Sequence, residues 1–115
     1  MENHLTVLDT VFRALADPTR RAVVHQLVDG GPAPVTELAR PFEIGLPTFM
    51  KHLKVLEESG LVRSEKAGRV RTCHVQAERL EAAESWLAQQ RSLWRGRTDR
   101  LADYAEKLAA KREVQ

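Results

Sequence analysis

The residues with the most legible chemistry are cations at helical spacing. The stretch GLPTFMKHLKVLEESGLV (45–62) carries Lys51 and Lys54, with Thr48 and His52 beside them. Ammonium groups and a small hydroxyl on the early turns of one helix suit an anionic partner, through phosphate or guanine contacts. A second cationic group, Lys66, Arg69 and Arg71, follows within twenty residues. Thr36 stands near the start of an earlier helix. If the N–H groups there are free, they and its hydroxyl can bind one phosphate.

Other chemistry finds little support. No nucleophile–base pair, carboxylate pair, glycine-rich phosphate loop or metal cluster is present, so an enzyme is not expected. His4, His25, His52 and His74 are scattered without metal-ligand spacing, and no cofactor is expected. Cys73 is the only cysteine. It reads either as a small packing residue or as an oxidation sensor, and no intramolecular disulfide is possible. A chain of 115 residues with 30% charged and 43% hydrophobic residues fits one soluble domain over 1–115. A lone thiol fits a reducing cytoplasm. No apolar run approaches the roughly 20 residues that span a bilayer, so no membrane partner is expected. The net charge of +2 says little about an anionic partner, which makes the placement of the cations decisive.

The pattern predicts elements able to hold those cations. Leu5, Leu8, Val11, Phe12 and Leu15 recur at helical spacing and define a first helix over about 3–16. Asp17 and Pro18 are cap and first residue of a second helix, which DGGPAP (29–34) ends in a turn. VTELARPF forms a short third helix that Pro41 stops near Arg40. A fourth helix follows and ends at Gly60. In it, about 100° per residue puts Phe49, Leu53 and Leu56 on one face. Pro47, Lys51 and Lys54 then lie opposite, Thr48 and His52 on one flank, and Met50 on the other. Apolar residues around an Ala67-Gly68 turn predict a two-stranded hairpin over about 61–76, with Lys66, Arg69 and Arg71 at its tip. A long helix over about 78–111 closes the chain. Leu80, Leu87, Trp94, Leu101 and Leu108 fall seven apart in it, the pattern of helix-against-helix packing.

A short helix, a tight turn and a basic helix over about 34–59 form a helix-turn-helix. The basic-tipped hairpin is placed as a wing. FRALADPTRRAVVHQL, VTELARPF, LPTFMKHLKVLEESGLV and GRVRTCHV together resemble the ArsR-type winged helix-turn-helix repressors of bacteria, over roughly residues 8–95. The resemblance implies a mainly α fold with a small β-hairpin and a long C-terminal dimerisation helix. It also implies a homodimer that binds an imperfect palindrome in double-stranded DNA, and in some members represses its own promoter. Where many members carry a metal-binding cysteine pair, this chain has Pro34 and Thr36, and no histidine follows His74. The resemblance is therefore to the non-metal branch, with an unidentified effector.

The DNA-contacting set expected on these grounds is Thr36, Pro47, Thr48, Met50, Lys51, His52, Lys54, Lys66, Arg69 and Arg71. Many relatives have serine where this chain has Gly45 and Met50. Met50 is left either to touch a thymine methyl or to pack, and His52 either to read a base or to hold structure. Leu5, Leu8, Leu87, Trp94 and Leu101 are the expected dimer contacts. The rival reading is a winged-helix module that binds a protein and no operator.

Overall fold

The computed structural model describes residues 4–114, with side chains from 6 to 113. Two residues, Ala16 and Asp17, separate the helices α1 (His4–Leu15) and α2 (Pro18–Gly30). Asp17 caps α2: its carboxylate accepts the Arg20 N–H at 3.0 Å, and Pro18 occupies the first helical turn, where no N–H is needed. After α2 come β1 (Ala33–Pro34), α3 (Val35–Ala39) and α4 (Leu46–Glu58). Strands β2 (Val62–Ala67) and β3 (Val70–Val75) form the wing, and α5 (Ala77–Val114) completes the chain.

The sheet has three strands in the order β1-β3-β2, all antiparallel. The sequence predicts only the hairpin. The added strand is two residues of the segment expected as a turn, Ala33 opposite Cys73 and Pro34 opposite Thr72. Pro34 is tolerated there because the strand lies at the sheet edge, where a missing N–H costs no ladder bond.

One core serves these elements. Val11 and Ala14 of α1, Val23, Val24 and Leu27 of α2, and Leu38 of α3 surround Phe49, Leu53 and Leu56 of α4, with Leu61, Val62 and Cys73 beneath. Full burial of side chains of this kind contributes about 1.5–3 kcal/mol each, so the apolar stripe of α4 fixes which face is left outside. Phe42 stacks on Phe49 with ring centroids 5.9 Å apart and anchors the turn before α4.

The chain divides into two compact units, the first running through Ala83 and the second starting at Glu84. The first holds the whole core. The second is the outer stretch of α5, and it contains no buried residue among those described. Its side chains Leu87, Trp94, Leu101, Tyr104 and Leu108 are exposed, Trp94 at 64%. No described helix is long and apolar enough to cross a membrane.

Leu8, one of the expected interface residues, is buried within its own chain, with 4% of its surface exposed. The side chain of Leu5 lies outside the described residues.

Candidate nucleic-acid interface

Helix α4 begins at Leu46 after an extended Gly45, with Pro47 in its first turn. Pro47, Thr48, Lys51 and Lys54 are all exposed, while Phe49 and Leu56 are fully buried. The helix thus presents a continuous polar face with two ammonium groups. Lys54 lies 4.0 Å from Glu58 one turn on, an exposed pair that solvent screens. Among the described residues Lys51 makes no ion pair.

The remaining two residues of the expected α4 set are partly withdrawn. Met50 is half-buried and packs against the core, so much of its side chain is already occupied. His52 is 21% exposed, and its Nδ1 faces the Arg20 guanidinium at 3.2 Å. The Asp17 carboxylate is 3.7 Å from the same nitrogen, too far for a hydrogen bond. The ring therefore accepts from Arg20 on Nδ1, which puts its proton on Nε2 when neutral. His52 is in this respect a structural residue, and Arg20 is a participant that sequence reasoning missed. The only sequence signal for Arg20 was its position two residues after Pro18.

The C-terminal end of α4 is closed by Gly60, whose φ of 80° lies in the left-handed region. The Ser59 hydroxyl, buried, donates to the Leu56 carbonyl at 2.7 Å and accepts from the Leu61 N–H at 3.2 Å. Gln76 Nε2 donates to the Gly60 carbonyl at 2.6 Å. The helix end is thereby tied to the start of α5.

In the wing, Lys66 stands directly opposite Arg71, and Ala67 opposite Val70, across a tip that Gly68 turns with φ 63°. Like charges placed opposite one another in a sheet are destabilising. Among the described residues no carboxylate pairs with Lys66, Arg69 or Arg71, so the tip keeps its full positive charge. Farther back, Arg63 pairs with Glu65.

The wing and α3 converge. Pro34, Val35 and Thr36 share an open cleft of about 270 Å³ with Arg69, Val70 and Arg71. The structure thus joins three of the expected contacts, Thr36, Arg69 and Arg71, around one concavity. The set gathered on α4 is Pro47, Thr48, Lys51 and Lys54.

Cys73 is fully buried in the central strand. Burial, reinforced by the Glu57 charge and opposed by Arg71, pushes its thiol up to about 11. A thiol held protonated is a poor nucleophile, which favours the packing reading of this residue.

The family profile described as a helix-turn-helix domain matches residues 15–65, the stretch from the end of α1 into the wing. A crystal structure of an ArsR family transcriptional regulator is 53% identical and superposes with a TM-score of 0.76, covering 83% of this chain and 97% of that one. The regulator Rv2034 of Mycobacterium tuberculosis is 47% identical over 60 residues, which are 52% of this chain and 55% of that protein. The match thus spans about half the length of that relative. The homodimeric winged helix-turn-helix DNA-binding domain Mb0332 of Mycobacterium bovis shares the fold, with a TM-score of 0.61 at 23% identity over 77% of this chain and 83% of that one.

Proposed function

Because this chain belongs to the ArsR family of transcriptional regulators, we propose that it is a dimeric repressor that occupies a palindromic operator in double-stranded DNA. The observation that carries this reading is the two-sided character of α4. Phe49, Leu53 and Leu56 are spent on the core, and Thr48, Lys51 and Lys54 remain outside on a helix that a major groove about 12 Å wide admits. Lys51 and Lys54 contact phosphates or guanines, Thr48 a base edge or phosphate, and Pro47 lines the approach. Met50 offers its exposed part to a thymine methyl, and His52 contributes chiefly through its position. The wing adds Lys66, Arg69 and Arg71, and Thr36 shares the wing's phosphate.

The whole chain works as one winged helix-turn-helix domain in this reading, with α1 and α5 as dimerisation helices. The exposed series Leu87, Trp94 and Leu101 on α5 supports pairing with a second copy, since such residues at seven-residue spacing pack on another helix. The homodimeric assembly of Mb0332 supports it by likeness of fold. Repression is steric: the dimer covers the promoter in the cytoplasm, without catalysis. Pro34 and Thr36 offer no thiolate where metal-sensing relatives carry cysteines, which supports a reading in the non-metal branch, with an unidentified effector.

The test is titration of the DNA upstream of its own gene at several salt concentrations. The expected result is a saturable, sequence-dependent complex whose log affinity falls linearly with log salt, by about 0.9 per neutralised phosphate. EDTA should leave it unchanged. Absence of any saturable complex would favour a protein-binding winged helix.

A further inference from the structure

Arg20 spends its guanidinium on two other helices. Its Nε donates to the Ala14 carbonyl at 2.8 Å and its Nη2 to the Arg13 carbonyl at 3.0 Å, both in the last turn of α1. Its Nη1 reaches His52 Nδ1 of α4 at 3.2 Å. The last carbonyls of a helix have no partner within it, and a cation there also meets the negative end of the helix dipole. A planar fork with five N–H donors can serve such divergent acceptors together; an ammonium group cannot hold that geometry. Asp17 holds the base of Arg20 in place by capping its backbone N–H.

We propose that Arg20 is a positioning residue for DNA binding: bridging the Arg13 and Ala14 carbonyls of α1 to His52 of α4, it sets the seating of the recognition helix without touching DNA. The inference rests on the reading of α4 as the recognition helix. Helix α4 is held to the core through Phe49, Leu53 and Leu56, and apolar burial is non-directional. The His52 contact is directional, lies midway along α4, and adjoins Lys51 in sequence. A binding constellation tolerates displacement of only about 0.5 Å or 10–20°, so a helix released at its middle, with directional ties left only at its C-terminal end through Glu57 and Gly60, loses contacts that its lysines still have the charge to make.

The experiment measures operator affinity for His52→Ala, His52→Asn, Arg20→Ala and the Arg20→Ala/His52→Ala double variant, with thermal unfolding of each. Asparagine puts its side-chain oxygen close to the place of Nδ1 and keeps the acceptor. His52→Ala should weaken binding roughly tenfold, as for loss of one charge-assisted hydrogen bond, and His52→Asn should restore most of it. The double variant should bind no more weakly than Arg20→Ala alone. Losses that multiply in the double variant, or asparagine no better than alanine, overturn the proposal. Amide spectra of the free proteins give a readout independent of DNA. The Lys51–Lys54 resonances should shift alike in Arg20→Ala and His52→Ala and stay near wild type in His52→Asn. If wild type binds no operator, the reading of α4 fails and these spectra alone decide the clamp: resonances unmoved by Arg20→Ala refute it.

Discussion

The Ser64 hydroxyl donates to Glu57 Oε1 at 2.5 Å, joining the first strand of the wing to the last full turn of α4. Two elements read as separate DNA contacts are thus tied by a charge-assisted bond. Ser64→Ala removes the donor and leaves a partly buried carboxylate short of a partner. Thermal or denaturant unfolding should show a loss of about 1–2 kcal/mol. Unchanged stability would mean that the bond only replaces one to water.

Gly60 makes a different demand. Its φ is 80°, and a Cβ placed there would come within 2.6 Å of Arg79 Nε. A side chain at this position adds left-handed strain of about 1–2 kcal/mol and also pushes against Arg79 at the start of α5. Gly60→Ala should therefore destabilise by at least that amount in denaturant melts. A variant as stable as wild type would show that the turn can relax.

Asp17 links stability to acid. The Arg20 N–H, opposed by partial burial and aided by the nearby Arg20 charge, holds its carboxyl below the ordinary 3.8. A depressed folded-state value means the capping contribution is present above the unfolded value and is lost as pH falls through the folded one. Asp17→Ala should cost about 1 kcal/mol near neutral pH, and its deficit relative to wild type should shrink below about pH 4. A deficit that persists unchanged at pH 2–3 would remove the ionised cap from the explanation.

Cys73 should resist thiol reagents. With the side chain fully buried and the thiol raised to about 11, native protein at pH 8 should label with iodoacetamide only as fast as it opens, and readily in denaturant. Rapid labelling of the native protein by mass spectrometry would revive the oxidation-sensor reading.

Much of the scaffold was legible because its signals are local. The Asp17-Pro18 start, the Gly60 stop and the Phe49, Leu53 and Leu56 stripe each rest on residues a few positions apart, and each element formed where those residues place it. Strand β1 was not legible: Ala33 and Pro34 are extended because β3 lies beside them, forty residues away in sequence. The burial of Leu8 was not legible for the same reason, since periodicity marks an apolar face without saying what covers it. Within the candidate site, the cations were visible as cations. Arg20 was not, because its role comes from three acceptors on two other helices.

The central claim is that α4, displayed twice by a symmetric dimer, enters successive major grooves through Lys51 and Lys54. Footprinting of wild type and the Lys51→Ala/Lys54→Ala variant on the upstream DNA, with sedimentation of both proteins, tests it most directly. Wild type should protect two half-sites centred about 10–10.5 base pairs apart or a multiple of that, while the variant sediments as the same dimer and leaves them unprotected. Protection that survives in the variant, or a wild-type chain that sediments as a monomer, would contradict the account.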